Sequence, residues 1–118
     1  MKIEKWSIWR ANLDPVVGSE QGKTRPVIII SENDVNSILG IVNIIPVTSR
    51  KSGRNIYPNE VLLPENSFGL ISESIALCHQ IRTIDKRRLT HKYGSVDLDK
   101  IQEEIFDALC FQLGLNRR

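Results

Sequence analysis

GSEQGKTRPVIII, residues 18–30, runs from a glycine-bracketed polar loop straight into a row of β-branched residues. The row Val27–Ser31 is almost continuously apolar, the pattern of a strand buried on both faces. The loop before it carries Glu20, Lys23 and Arg25, so charged groups stand at the lip of a buried strand. Downstream, residues 32–40 are polar and turn-rich, with room for one short helical turn. Residues 41–47 then form a second apolar strand, with Pro46 near its end, where a missing N–H is tolerated. Sequential strands usually pair antiparallel. Such a pair sets Thr48 and Ser49 beside Arg25 and Pro26, and brings Ser19, Glu20 and Gln21 to the same rim.

The rest of the chain follows the same grammar. Residues 7–13 read as a strand stopped by Asp14-Pro15, and residues 49–58 as a basic, glycine-containing loop. Residues 60–63 make a short strand, 64–69 a turn, 74–84 one longer strand and 89–96 a last one. The end is different. Asp97 is placed as an N-cap, with Asp99, Glu103 and Glu104 early in a helix, where the macrodipole favours anions. Leu98, Ile101, Ile105, Ala108 and Leu109 give its apolar stripe, and Gly114 its stop before Arg117 and Arg118. The expected fold is mainly β, a small antiparallel barrel with a C-terminal helix packed against it.

The 118 residues, 41% of them hydrophobic, suit one domain spanning 1–118, with dimerisation a natural supplement to a small core. No apolar run approaches a membrane span, and the N-terminus MKIEKWSIWR lacks a signal-peptide core, so a cytoplasmic location is expected. Cys78 and Cys110 read as small buried hydrophobes, and Trp6 and Trp9 as core or dimer packing. Residues 1–92 hold 13 Lys/Arg against 9 Asp/Glu, and residues 93–118 hold 3 against 5. A modest basic surface is compatible with nucleic acid. Of the two basic clusters, RKSGR at 50–54 borders the rim, and KRRLTHK at 86–92 opens with KRRL, which reads as one exposed turn of helix.

A rim of one guanidinium, three hydroxyls, a carboxylate and an amide suits phosphate chemistry. A planar guanidinium matches phosphate oxygens in a bidentate way, and a threonine hydroxyl donates to the same group. When a ribose 2′-hydroxyl attacks a phosphodiester, negative charge builds on the non-bridging oxygens and needs such donors. Glu20 and His79 are the candidate bases. That route needs no metal, and the two histidines and two cysteines have no ligand spacing. The alternative is a structural clasp in which Arg25 pairs with Glu20 and Thr48 caps a turn.

LDPVVGSEQGKTRPVIIIS (13–31), IIPVTS (44–49) and HQIRTIDKRRL (79–89) together resemble the signature blocks of the MazF/PemK family, toxins of toxin–antitoxin modules. The resemblance spans residues 8–115. It implies the SH3-like antiparallel barrel shared by MazF, Kid and CcdB, assembled as a homodimer, and a sequence-specific endoribonuclease acting on single-stranded RNA without metal or cofactor. By motif position it implies catalytic roles for Arg25 and Thr48. Ser19, Glu20 and Gln21 fall on a loop gating the RNA groove, Gln80 near bound RNA, and Ser31 near a base pocket. Ser49, Lys51 and Arg54 border the same groove. Tyr57, in a variable stretch, either stacks on a base or covers the barrel edge. His79 departs from the acidic residue usual before QIRTID.

The resemblance also implies an antitoxin partner with an acidic disordered segment that folds into the basic groove. Two rivals stand beside the ribonuclease. One is a CcdB-like toxin that acts by binding gyrase, and the other a homologue that binds RNA or antitoxin without cutting. The intact Arg25 and Thr48 favour the enzyme over both.

Overall fold

The computed structural model describes residues 2–116; Arg117 and Arg118, expected after the helix stop, lie outside the described residues. The elements are β1 (Ser7–Asn12), β2 (Thr24–Ile29), α1 (Asn33–Ile38), β3 (Ile41–Ser49), β4 (Glu60–Leu63), β5 (Ser74–Leu77), β6 (Arg82–Asp85), β7 (Leu89–Ser95) and α2 (Asp99–Leu113). All strand pairings are antiparallel, in the order β4-β5-β3-β2-β1-β7, with β6 also beside β3.

The run that decides the fold behaves as expected. Val27 and Ile29 face a cluster with Trp9, Leu13, Val42, Ile44 and Leu89, while Ile28 faces the opposite side. There it meets Ile8, Ile45, Val47, Val61, Leu63, Ile101 and Ile105. A strand buried on both faces has no solvent side, which is why its sequence does not alternate. β2 starts earlier than its apolar run, at Thr24, and pairs Arg25 with Ala11 of β1. Arg25 is therefore fixed by a ladder rather than carried on a loop.

The expected single strand over 74–84 is broken. Ala76 pairs with Val47 and Arg82 with Ile44, so five residues, 77–81, face only two, Ile45 and Pro46. The excess winds into a 3₁₀ turn at Cys78–Gln80. Pro46 lies inside β3, not near its end, and falls in this gap between the two pairings. It has no N–H to offer a partner there.

The barrel is not closed by hydrogen bonds, because β4 and β7 are sheet edges that do not pair with each other. Two features cover the opening. α2 lays Ile101, Ile105 and Ala108 against Val61 and Leu63 of β4. The turn at 67–70 meets β7 where a Cβ on Gly69 would stand 2.1 Å from the Tyr93 carbonyl oxygen, and one on Gly94 2.3 Å from that of Phe68. Two glycines let backbone lie on backbone where any side chain would separate them.

α2 begins at Asp99 with Leu98 at the cap position, so Asp97 does not cap it, and Leu98 is exposed instead of joining the stripe. Gly114 ends it in the left-handed region at φ 67°, with Leu115 N donating to the Cys110 carbonyl over 2.9 Å. Trp9 is buried and donates from Nε1 to Ser7 Oγ over 2.9 Å, while Trp6 packs partly buried on the core. Cys78 is buried and its thiol is pushed up to about 12 by burial, but Cys110 is only half-buried. The turn at Lys86–Arg88 is helical as expected, yet only Arg87 is a solvated side chain. Lys86 donates to the Asn36 carbonyl, and Arg88 to the carbonyls of Asn12 and Asp14 over 3.0 and 2.6 Å. No helix among the described residues is long and apolar enough to cross a membrane.

Candidate active site

The β2–β3 ladder ends at Val27 opposite Pro46, and two residues beyond it on each strand the side chains of Arg25 and Thr48 meet. Arg25 Nη1 donates to Thr48 Oγ1 over 3.3 Å, and Arg25 Nε to the Gly22 carbonyl over 2.9 Å. Two hydrogen bonds and two strands thus hold a guanidinium whose further N–H donors have no partner among the described residues and can face an anion. Glu20 does not clasp it. The Glu20 carboxylate turns back into its own loop and accepts from Val17 N over 2.6 Å.

Around this pair lies an open cleft of about 660 Å³ lined by Ser19, Gln21, Arg25, Thr48, Ser49, Lys51, Arg54, Leu77, His79 and Gln80. The cleft gathers nine of the side chains expected there and leaves out three. Glu20 faces its loop. Ser31 sits at the far end of β2, buried, where it donates to Asn36 Oδ1 and accepts from Asn43 N over 3.0 Å. Tyr57 is exposed on the rim of a neighbouring recess, its ring 5.7 Å from the Arg54 guanidinium.

The 3₁₀ turn explains how His79 and Gln80 arrive. Wound out of the ladder opposite Pro46, both side chains face the cleft. Gln80 spans the gap to the polar loop, accepting from Gln21 N over 3.2 Å and donating to the Ser19 carbonyl over 3.3 Å. The loop is tied at its base as well, where Arg82 donates to the Leu13 carbonyl and Lys23 N to Asp14 Oδ1 over 2.8 Å.

One site residue was not foreseen. Glu60, at the head of β4, is buried, and it accepts from Arg54 through both oxygens over 2.9 and 2.7 Å. It also takes Tyr57 N over 3.1 Å and lies 3.2 Å from His79 Nε2. Hydrogen bonds from Arg54, then Tyr57 N and His79, outweigh the cost of burial and hold its carboxyl down to about 2. Arg54 is therefore engaged with Glu60, and Arg50 with Glu73 over 3.1 Å. Within RKSGR that leaves Lys51 as the cation without an ion-pair partner among the described residues.

A curled antiparallel sheet, one C-terminal helix and an arginine–threonine cleft on the rim define a small SH3-like barrel with a polar edge site. Residues 4–113 match the PemK-like, MazF-like toxin of type II toxin–antitoxin system, and the chain belongs to this family. It is 35% identical over 115 residues to endoribonuclease EndoA of Bacillus subtilis strain 168, covering 98% of this chain and 97% of that protein. It superposes on MazF of Deinococcus radiodurans with a TM-score of 0.82 at 28% identity, over 98% of this chain and 99% of that one. A MazE–MazF complex from the same organism contains a chain that matches with a TM-score of 0.73 at 28% identity, again over 98% and 99%.

Proposed function

We propose that this chain is an endoribonuclease toxin that cuts single-stranded RNA at short motifs through attack of a ribose 2′-hydroxyl on the adjacent phosphate. The observation that carries the reading is the Arg25–Thr48 pair, 3.3 Å apart at the wall of an open cleft. The guanidinium and hydroxyl receive the non-bridging oxygens and gain strength as charge builds on them in the transition state. A guanidinium holds its protons, so Arg25 serves as an electrostatic donor and not as the acid. Lys51, Ser49, Gln21, Ser19 and Gln80 line the path of the strand, and Tyr57 beside the cleft offers a face for an unpaired base.

The family and the MazE–MazF complex support an antitoxin as the restraining partner; an acidic, disordered segment of it would lie over the cleft at Lys51, which has no ion-pair partner among the described residues. A homodimer in the cytoplasm is the setting that family membership suggests. The test is cleavage of a long single-stranded RNA, with and without EDTA, by wild type, Arg25→Ala and Thr48→Ala. Discrete cuts are expected in both buffers. Arg25→Ala is expected to slow them by about 10²–10³-fold, the cost of losing one preorganised donor. Thr48→Ala is expected to fall between, with both variants melting close to wild type. Equal rates in all three proteins would remove the reading.

A further inference from the structure

Glu60 is the buried group that the Arg25–Thr48 chemistry leaves unused. A buried ion pair seldom stabilises a fold more than an apolar pair of the same size. Its value is in what it holds in place. Here four N–H groups fill one carboxylate, and three of them, two from Arg54 and one from His79, belong to the cleft wall. Glu60 reaches them from inside, paired in the ladder opposite Leu77, which precedes the turn that carries His79.

An ionised carboxylate only accepts, so in this pair the proton sits on Nε2 of His79. The neutral ring then has its lone pair on Nδ1, which has no hydrogen-bond partner among the described residues, and the side chain is 30% exposed. A histidine with one nitrogen held by a carboxylate and the other open to a cleft is the arrangement of an oriented base. Building on the ribonuclease reading, we infer that His79 is the proton-transfer group of the cleft and that Glu60 is its positioning residue, fixing tautomer and ring direction.

In the step this assigns, the 2′-hydroxyl proton passes to Nδ1 as the 2′-oxygen bonds to phosphorus. The P–O5′ bond breaks, and the departing oxygen takes a proton from the imidazolium through water. The products are a 2′,3′-cyclic phosphate and a 5′-hydroxyl, with no net gain or loss of protons. The charged groups around the ring are Glu60 from β4, Arg54 and Lys51 from the loop after β3, and Arg25 across the cleft. From α2 it is approached by Phe111 and Gln112, which are uncharged.

Single-turnover cleavage of a short single-stranded RNA from pH 5 to 9 tests this with wild type, His79→Gln, Glu60→Gln and Glu60→Asp. Wild type is expected to show a base limb in the rate. His79→Gln should erase that limb and slow cleavage by about 10²–10⁴-fold. Glu60→Gln should lower the single-turnover rate, because the ring loses the acceptor that fixes its direction, and Glu60→Asp should restore part of that rate. Binding of an RNA made uncleavable by 2′-deoxy substitution should change less than about threefold in His79→Gln. If wild type cuts but His79→Gln keeps its rate and pH profile, the inference fails while the ribonuclease stands. If wild type does not cut at all, both fall. His79 is partly exposed at the cleft and glutamine keeps an N–H for Glu60, so His79→Gln decides even if the Glu60 variants misfold.

Discussion

Among single residues, Glu60 is the buried charge on which the cleft wall depends, held by Arg54, Tyr57 N and His79. Arg25 and Thr48 follow from one pairing rule applied to two β-branched runs, a local inference that needs only chain direction. Glu60 heads an apolar strand, EVLL, where a carboxylate reads as a solvated start. Its meaning depends on Arg54 and His79, placed by a loop and by a turn that no spacing reveals. The consequence of the hydrogen bonds it accepts from Arg54, Tyr57 N and His79 is measurable. Its folded carboxyl is lowered from 4.5 to about 2, so between those values the unfolded chain binds the proton more readily. The stabilisation is full above about pH 4.5 and is lost as pH falls towards 2. It is worth on the order of 2–3 kcal/mol. Urea unfolding of wild type across that window should show the loss, and Glu60→Gln should lack this step.

At the scale of the element, the break in the expected 74–84 strand has the largest functional effect. The segment SIALCHQIRTI carries apolar residues throughout, so nothing in its composition marks Cys78–Gln80 as a turn. The cause is the partner strand, which supplies two residues, one of them Pro46, against five. Gln80 then latches the loop at Ser19 and Gln21. Gln80→Ala should speed hydrogen exchange at 17–22 and raise KM for RNA about three- to tenfold with kcat nearly unchanged, since each lost bond is worth about 1 kcal/mol. The strand boundaries around 27–31 and 41–47 were readable because an apolar run with turn residues on both sides has few other fates. The turn at 67–70 makes a sharper claim. Gly69→Ala would drive a Cβ into the Tyr93 carbonyl, at a φ of 86°, and should destabilise the fold by more than about 2 kcal/mol in chemical melts. Gly40→Ala, with nothing within 4 Å, should stay within about 0.5 kcal/mol of wild type.

At the scale of the whole molecule, an antiparallel barrel with a C-terminal helix was readable from strand spacing and one amphipathic stripe. That the barrel stays open was not, because closure depends on which edge strands meet in space. The opening is covered by α2 and by the Gly69–Gly94 contact, and the polar loop, the 3₁₀ turn and β3 converge at one rim. The molecule is thus a rigid sheet whose irregular connections make the cleft, the usual division between scaffold and function. The most direct measurement is the chemistry of the cut ends, read by mass spectrometry after brief digestion of a single-stranded RNA. Attack by the 2′-hydroxyl predicts a 2′,3′-cyclic phosphate (or its opened monoester) on one fragment and a 5′-hydroxyl on the other. A 5′-phosphate beside a free 3′-hydroxyl would mean that water attacked instead, and would contradict the mechanism assigned to this cleft.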